Sequence, residues 1–132
     1  CAYVGSQTHI YNDTLRNNLT LWNEAITDTH IKEVLERVNL LSFLSRIDEQ
    51  VSDGSFSEGQ KQRIGLIRAF LKGSSVVIFD EATANLDHKN ATRIEHLLLS
   101  DPNITYITVT HHLIKENELY FDEIIRLGEG TE

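Results

Sequence analysis

Residues 76–87 read VVIFDEATANLD, and the opening of this stretch limits the possible folds more than any other part of the chain. The apolar run at residues 76–79 is short, continuous and partly β-branched, which predicts a strand buried on both faces. It runs straight into two acids, Asp80 and Glu81. Gly73 is placed to stop a helix just before it, and Asp87 to cap another just after it. Strands alternating with helices in this way imply an α/β layer built on a parallel sheet.

The rest of the chain extends that pattern. Ala2–Val4 reads as a strand, as do residues 104–110 and 121–127, with Asp101-Pro102-Asn103 as a turn before the first of the later pair. Asp13 or Thr14 starts a short helix carrying Leu15 and Leu19. Thr27 or Asp28 caps a clearer one, whose Ile31, Val34, Leu35, Val38 and Leu41 recur at helical spacing. Residues 40–47 predict another short helical piece. Ser57-Glu58-Gly59-Gln60 has the form of a capping box opening a helix with Ile64, Ile67, Phe70 and Leu71. After Asp87 a helix bears Ala91, Ile94, Leu97 and Leu98. The helical insert between residues 14 and 55 is expected to form a separate lobe.

Composition narrows the function. The 132 residues suffice for one core. A net charge of −8, from 20 acids against 12 Lys and Arg, disfavours nucleic acid as a partner, because phosphate-backbone binding needs a basic face. Cys1 is the only cysteine, so no intrachain disulfide forms and a reducing compartment fits. No apolar stretch approaches the roughly 20 residues of a membrane span, and no signal peptide is visible. The sequence has no methionine and opens inside a strand-like run, so it is expected to be a piece of something longer.

Residues 54–61, GSFSEGQK, come close to a phosphate-binding loop and fail in two respects. Gln60 separates Gly59 from Lys61, and Gln62 stands where Ser or Thr is needed. The segment before them is polar rather than a buried strand. The acid pair is a better lead. Asp80, at the carboxyl end of a strand, sits where open α/β sheets place ligands, and a carboxylate there suits Mg²⁺. Taken alone, a solvated pair of strand-end acids is the better explanation. Ser57 and Gly59 lie at a helix N-terminus whose free amides favour a phosphate, or simply cap the helix. His111 ends a strand and has a hydrogen bond to offer a phosphate. Its neighbour His112 points elsewhere, and without a Cys or His cluster the two make no metal pair. His30, His88 and His96 read as exposed helical residues.

Ser57-Glu58-Gly59-Gln60 followed by Lys61-Gln62-Arg63-Ile64, then Arg68-Ala69, the apolar strand, Asp80-Glu81-Ala82-Thr83, Ala84-Asn85-Leu86-Asp87 and the distal His111 resembles the nucleotide-binding domain of ATP-binding cassette (ABC) transporters. The likeness covers essentially the whole chain, and residues 12–18, NDTLRNN, resemble the exporter branch. It implies a partial parallel sheet of the phosphate-loop NTPase type with a helical subdomain inserted at about residues 14–72, and with residues 1–13 and 73–132 in the α/β core. It implies ATP and Mg²⁺ as cofactors. Asp80 and Gln7 would hold the metal, Glu81 would act as general base and His111 would touch the γ-phosphate. Ser57, Gly59 and Gln60 would face the nucleotide of an opposite subunit, and Asp87 would be the conformational aspartate of its loop. The partners implied are a second nucleotide-binding domain, arranged head to tail, and a transmembrane domain. The location implied is the cytoplasmic side of the cell membrane. The chain departs from the family pattern in lacking the phosphate loop and the adenine-stacking aromatic, expected upstream of residue 1. Glu58 and Phe56 also replace the commoner Gly and Leu. A non-transport ABC-type ATPase and a non-catalytic interaction module are the alternatives.

Overall fold

A computed structural model of the chain describes residues 2–4, 8–80, 88–110 and 113–127. In chain order the elements are β1 (Ala2–Val4), β2 (Asp13–Thr14), α1 (Leu15–Thr20), α2 (Asp28–Arg37), β3 (Gln50–Val51), α3 (Glu58–Lys72), β4 (Val76–Asp80), α4 (His88–Ser100) and β5 (Thr105–Val109). Tight 3-10 turns occupy Leu41–Arg46, Asp53–Ser55 and Lys115–Tyr120. The α/β expectation holds: β1, β4 and β5 form a parallel sheet in the order β1-β4-β5, so β4 is central.

The helix boundaries follow from local chemistry. The Thr14 hydroxyl accepts from the Asn17 N–H to start α1, and the Thr27 hydroxyl accepts from His30 N–H to start α2. Ser57 and Gln60 form the reciprocal capping box that the sequence predicts. Gly73 ends α3 at φ 75°, a left-handed conformation that favours glycine, and the Ser74 N–H closes back on the Ala69 carbonyl at 3.1 Å. Gly65 serves close approach instead. A Cβ there would meet the Thr8 hydroxyl at 3.0 Å and Val4 at 3.4 Å, so α3 lies tightly against β1.

The structure corrects two expectations. β4 is buried on one face only: Val77 and Phe79 are buried, whereas Val76 and Ile78 are half-buried. The reason is that α3 and α4 share a face of the sheet. α3 packs on Val4 of β1, which pairs with Phe79, and α4 reaches Tyr106 of β5, whose ring meets Phe79 edge-on at 5.6 Å. The opposite face, with Tyr3, Ile78, Asp80, Ile107 and Val109, carries no helix among the described residues; Tyr3 is 64% and Val109 59% exposed. The second correction concerns residues 121–127, which form no strand. The segment is apolar enough, but a strand exists through its ladder and this one has no paired edge. Ile125 and Leu127 consequently stand exposed.

The small antiparallel ribbon of β2 and β3 was not expected. It closes the excursion between residues 14 and 50, helped by the Leu15 N–H to Glu49 carbonyl bond and the Arg16 N–H to Ile47 carbonyl bond. Arg68 of α3 locks the same region to the sheet layer. Its guanidinium donates to the Asn18 carbonyl at 2.7 Å and the His9 carbonyl at 2.9 Å. The core runs through Leu19, Ile31, Leu35, Ile64 and Ile67 into Val77, Phe79, Ile94 and Leu98.

Gln62 is the exception in that core. It is 2% exposed, and neither end of its amide has a hydrogen-bond partner. An unpaired buried polar group costs about 1–3 kcal/mol. Gln62→Met, of similar length and without the amide, is therefore expected to raise the urea midpoint of the chain at unchanged slope. A lowered midpoint would mean that the amide is satisfied, for instance by internal water.

Candidate functional site

Asp80 is the last residue of the central strand, at the carboxyl end of the parallel sheet. Its side chain lies on the uncovered face, and its Oδ2 accepts a 2.6 Å hydrogen bond from the Tyr3 hydroxyl. That bond, helped by some burial and by the charge of Asp80, raises the Tyr3 phenol above its ordinary range. Glu81, next in sequence, lies outside the described residues, as do Gln7, Asp87 and His111.

The tip of α3 carries the other described residues that the sequence singles out. Ser57 and Glu58 are exposed, Gln60 is half-buried and Gly59 is buried. The Ser57 hydroxyl accepts from the Gln60 N–H at 3.2 Å, while Gln60 Oε1 accepts from the Ser57 N–H at 2.9 Å. The cap thus occupies the Gln60 carbonyl oxygen locally. The Ser57 hydroxyl, used there as an acceptor, keeps its proton to donate outward. Glu58 sits where its charge suits the helix dipole but would repel an incoming anion. Lys61 offsets that: its ammonium lies 3.3 Å from Glu58 and 2.9 Å from Asp53. A lysine held by two acids is not a phosphate-loop lysine, and the segment before it is an edge ribbon rather than a central strand. The rejection of residues 54–61 as a phosphate loop is sustained by both facts.

Of the sequence-predicted site residues, the structure thus describes Asp80 at the sheet and Ser57, Gly59 and Gln60 at the helix tip. Among the described residues no three His, Cys, Asp or Glu side chains gather as a metal cluster. His88 and His96 are exposed as expected and His30 is half-buried. Both exposed histidines have contacts nonetheless: His88 meets Glu116, and the ring of His96 lies edge-on to Tyr120 at 4.7 Å.

Sequence reasoning missed three features. Tyr3 enters the sequence reading only as part of a strand. Tyr11 and Trp22 form an exposed aromatic ledge, with rings 5.1 Å apart and the indole N–H on Asp13. The backbone beneath is unusual: Leu21 and Trp22 both have positive φ, at 53° and 62°, which turns two large apolar side chains outward. The third feature is a buried polar cluster. Glu95 of α4 accepts from the Tyr106 hydroxyl at 2.8 Å and from the Asn117 amide at 3.3 Å. Burial outweighs those donors and pushes the Glu95 carboxyl up. The same amide holds the Thr92 carbonyl at 3.0 Å and so ties the turn Lys115–Tyr120 to α4. For Tyr3, a tyrosine on a strand alongside one that ends in an acid was the available signal. The other two features arise from contacts distant in sequence.

Comparison with known proteins settles what kind of chain this is. The family model described as ABC transporter matches residues 2–84. The chain belongs to the ABC transporter family. A probable ABC transporter ATP-binding/permease protein of Haemophilus influenzae is 33% identical over 98% of this chain and 24% of its own length. From the same organism, the glutathione/L-cysteine transport system ATP-binding/permease protein CydC is 32% identical, again over 98% of this chain and 23% of its own. An ATP-dependent lipid A-core flippase of Francisella novicida is 31% identical over 85% of the chain and 20% of its own length. The ABC chain therefore spans about a quarter of the length of these relatives or less. Its fold matches that of a bacterial Atm1-family ABC exporter solved with ATP bound, with a TM-score of 0.75 and 22% identity, over 84% of this chain and 21% of that one.

Proposed function

We propose that this ABC chain is part of an ATP-hydrolysing domain that couples Mg-ATP turnover to export by a longer membrane protein. The observation that carries the reading is Asp80 at the carboxyl end of the central parallel strand, where such sheets take their ligands. Magnesium fits the donor chemistry. It wants hard oxygens, takes one or two carboxylates and fills the remaining positions with water and phosphate oxygens. A strand-end carboxylate such as Asp80 suits that pattern.

Within this reading Asp80 and Gln7 hold the cation, which supplies charge neutralisation to the β- and γ-phosphates. Glu81 orients the attacking water and accepts its proton, and His111 donates to the γ-phosphate. Ser57, Gly59 and Gln60 meet the nucleotide of a second, head-to-tail domain. For Gln60 that contact falls to atoms other than the carbonyl oxygen already used in the cap, and for Gly59 it requires an approach to a buried residue. Asp87 belongs to the loop that couples the two sites. Residues 14–72 act as the helical subdomain and the remainder as part of the core. The relatives named above as ATP-binding/permease proteins carry both functions in one polypeptide. Among the described residues no helix is long and apolar enough to cross a membrane.

Calorimetry tests the division of labour. The full-length protein is expected to bind Mg-ATP saturably and to bind ATP more weakly once Mg²⁺ is chelated. The isolated chain, without the amides and lysine of a phosphate loop, is expected to give no saturable heat. Tight stoichiometric binding by the isolated chain would overturn that division, and a full-length protein that binds no Mg-ATP would overturn the reading itself.

A further inference from the structure

We propose that the Tyr3 hydroxyl is a positioning group for Asp80, holding its carboxylate in one rotamer so that the second oxygen faces the cation. This rests on the reading of Asp80 as a magnesium-holding residue.

The geometry comes from strand register. β1 and β4 run parallel with Tyr3 opposite Ile78. Asp80 lies two residues beyond Ile78, so the period of two puts Tyr3 and Asp80 on the same face. The tyrosine ring is long enough to reach diagonally forward, and its hydroxyl meets Oδ2 at 2.6 Å. That is the length of a charge-assisted O–H···O⁻ bond. With Oδ2 engaged, Oδ1 keeps its lone pairs for a metal or a metal-bound water. Partners of this kind, donors to a ligating carboxylate, set ligand orientation and metal affinity. Loss of the hydroxyl leaves the ring in place and frees the carboxylate to rotate.

The probe is Mn²⁺ in place of Mg²⁺, with the full-length protein and a non-hydrolysable ATP analogue, and free Mn²⁺ read by electron paramagnetic resonance. Tyr3→Phe is expected to weaken Mn²⁺ binding by about tenfold, the low end for loss of such a partner. Nucleotide affinity in chelator and the thermal midpoint should stay at their wild-type values. Asp80→Asn serves as the reference and is expected to abolish the Mn²⁺ signal. If Asp80→Asn loses Mn²⁺ and Tyr3→Phe does not, the role of Tyr3 is overturned while that of Asp80 stands. If both variants bind Mn²⁺ as the wild type does, both assignments fall. A loss in Tyr3→Phe matched by an equal loss of nucleotide affinity in chelator, or by a lower thermal midpoint, would show a packing role only and overturn the proposal.

Discussion

Glu81→Gln in the full-length protein is expected to leave ATP binding intact and to cut turnover at least about a hundredfold, the lower bound for removal of a positioned general base. The side chains are nearly isosteric, so the amide fills the same space and still reaches a water molecule. It carries no negative charge and cannot take the proton of that water. Phosphoryl transfer depends on positioning and charge stabilisation, and binding of the triphosphate is assigned to other groups, so the two quantities should separate. Filter binding of labelled ATP and phosphate release measured on the same preparation check this. Turnover at the wild-type rate would remove Glu81 from the role proposed here, and equal loss of binding and turnover would make it a binding group rather than a base.

The second large effect is structural. Leu35 is fully buried on α2, in the stripe of Ile31, Val34, Leu35 and Val38 that packs towards α3. Its carbonyl also accepts the Leu40 N–H that closes the end of the helix. Truncation to Ala removes the side chain but not that bond, so the cost is transfer free energy plus the cavity left behind, about 2–5 kcal/mol. Domains have about 5–15 kcal/mol in total. The isolated chain carrying Leu35→Ala should therefore unfold at a much lower urea concentration, with the slope unchanged. A loss of less than about 1 kcal/mol would mean that the site collapses around the gap and that α2 is less tightly packed than described.

The reach of the sequence is clearest at α3. Ser57, Gln60 and Gly73 each act on backbone groups within a few residues, so start, cap and stop were all readable. The same holds for Thr14 at α1 and Thr27 at α2. Two failures share a cause. Residues 76–79 are wholly apolar and residues 121–127 mix Phe121, Ile124, Ile125 and Leu127 with three charged residues, yet both read as strands; the first is the central strand, half covered, and the second pairs with no strand among the described residues. Apolar content says that a segment prefers burial; it does not say which edge or helix is present to bury it. The candidate site divides the same way. Asp80 at a strand end and Ser57 at a helix tip follow from local pattern, whereas the Tyr3 hydroxyl on Asp80 joins residues 77 apart in sequence.

What the chain determines by itself is therefore everything governed by near neighbours: the α/β alternation, the caps, the acid pair after a strand, and the family resemblance that the ABC family match bears out. What the tertiary structure alone decided is which groups meet. It put α3 and α4 on one face of the sheet and left the face of Tyr3 and Asp80 without a helix among the described residues. It turned Leu21 and Trp22 outward, and it buried Glu95 between Tyr106 and Asn117. Such contacts depend on strand register and helix placement, which are collective outcomes of packing the whole core, and no short window of sequence encodes them.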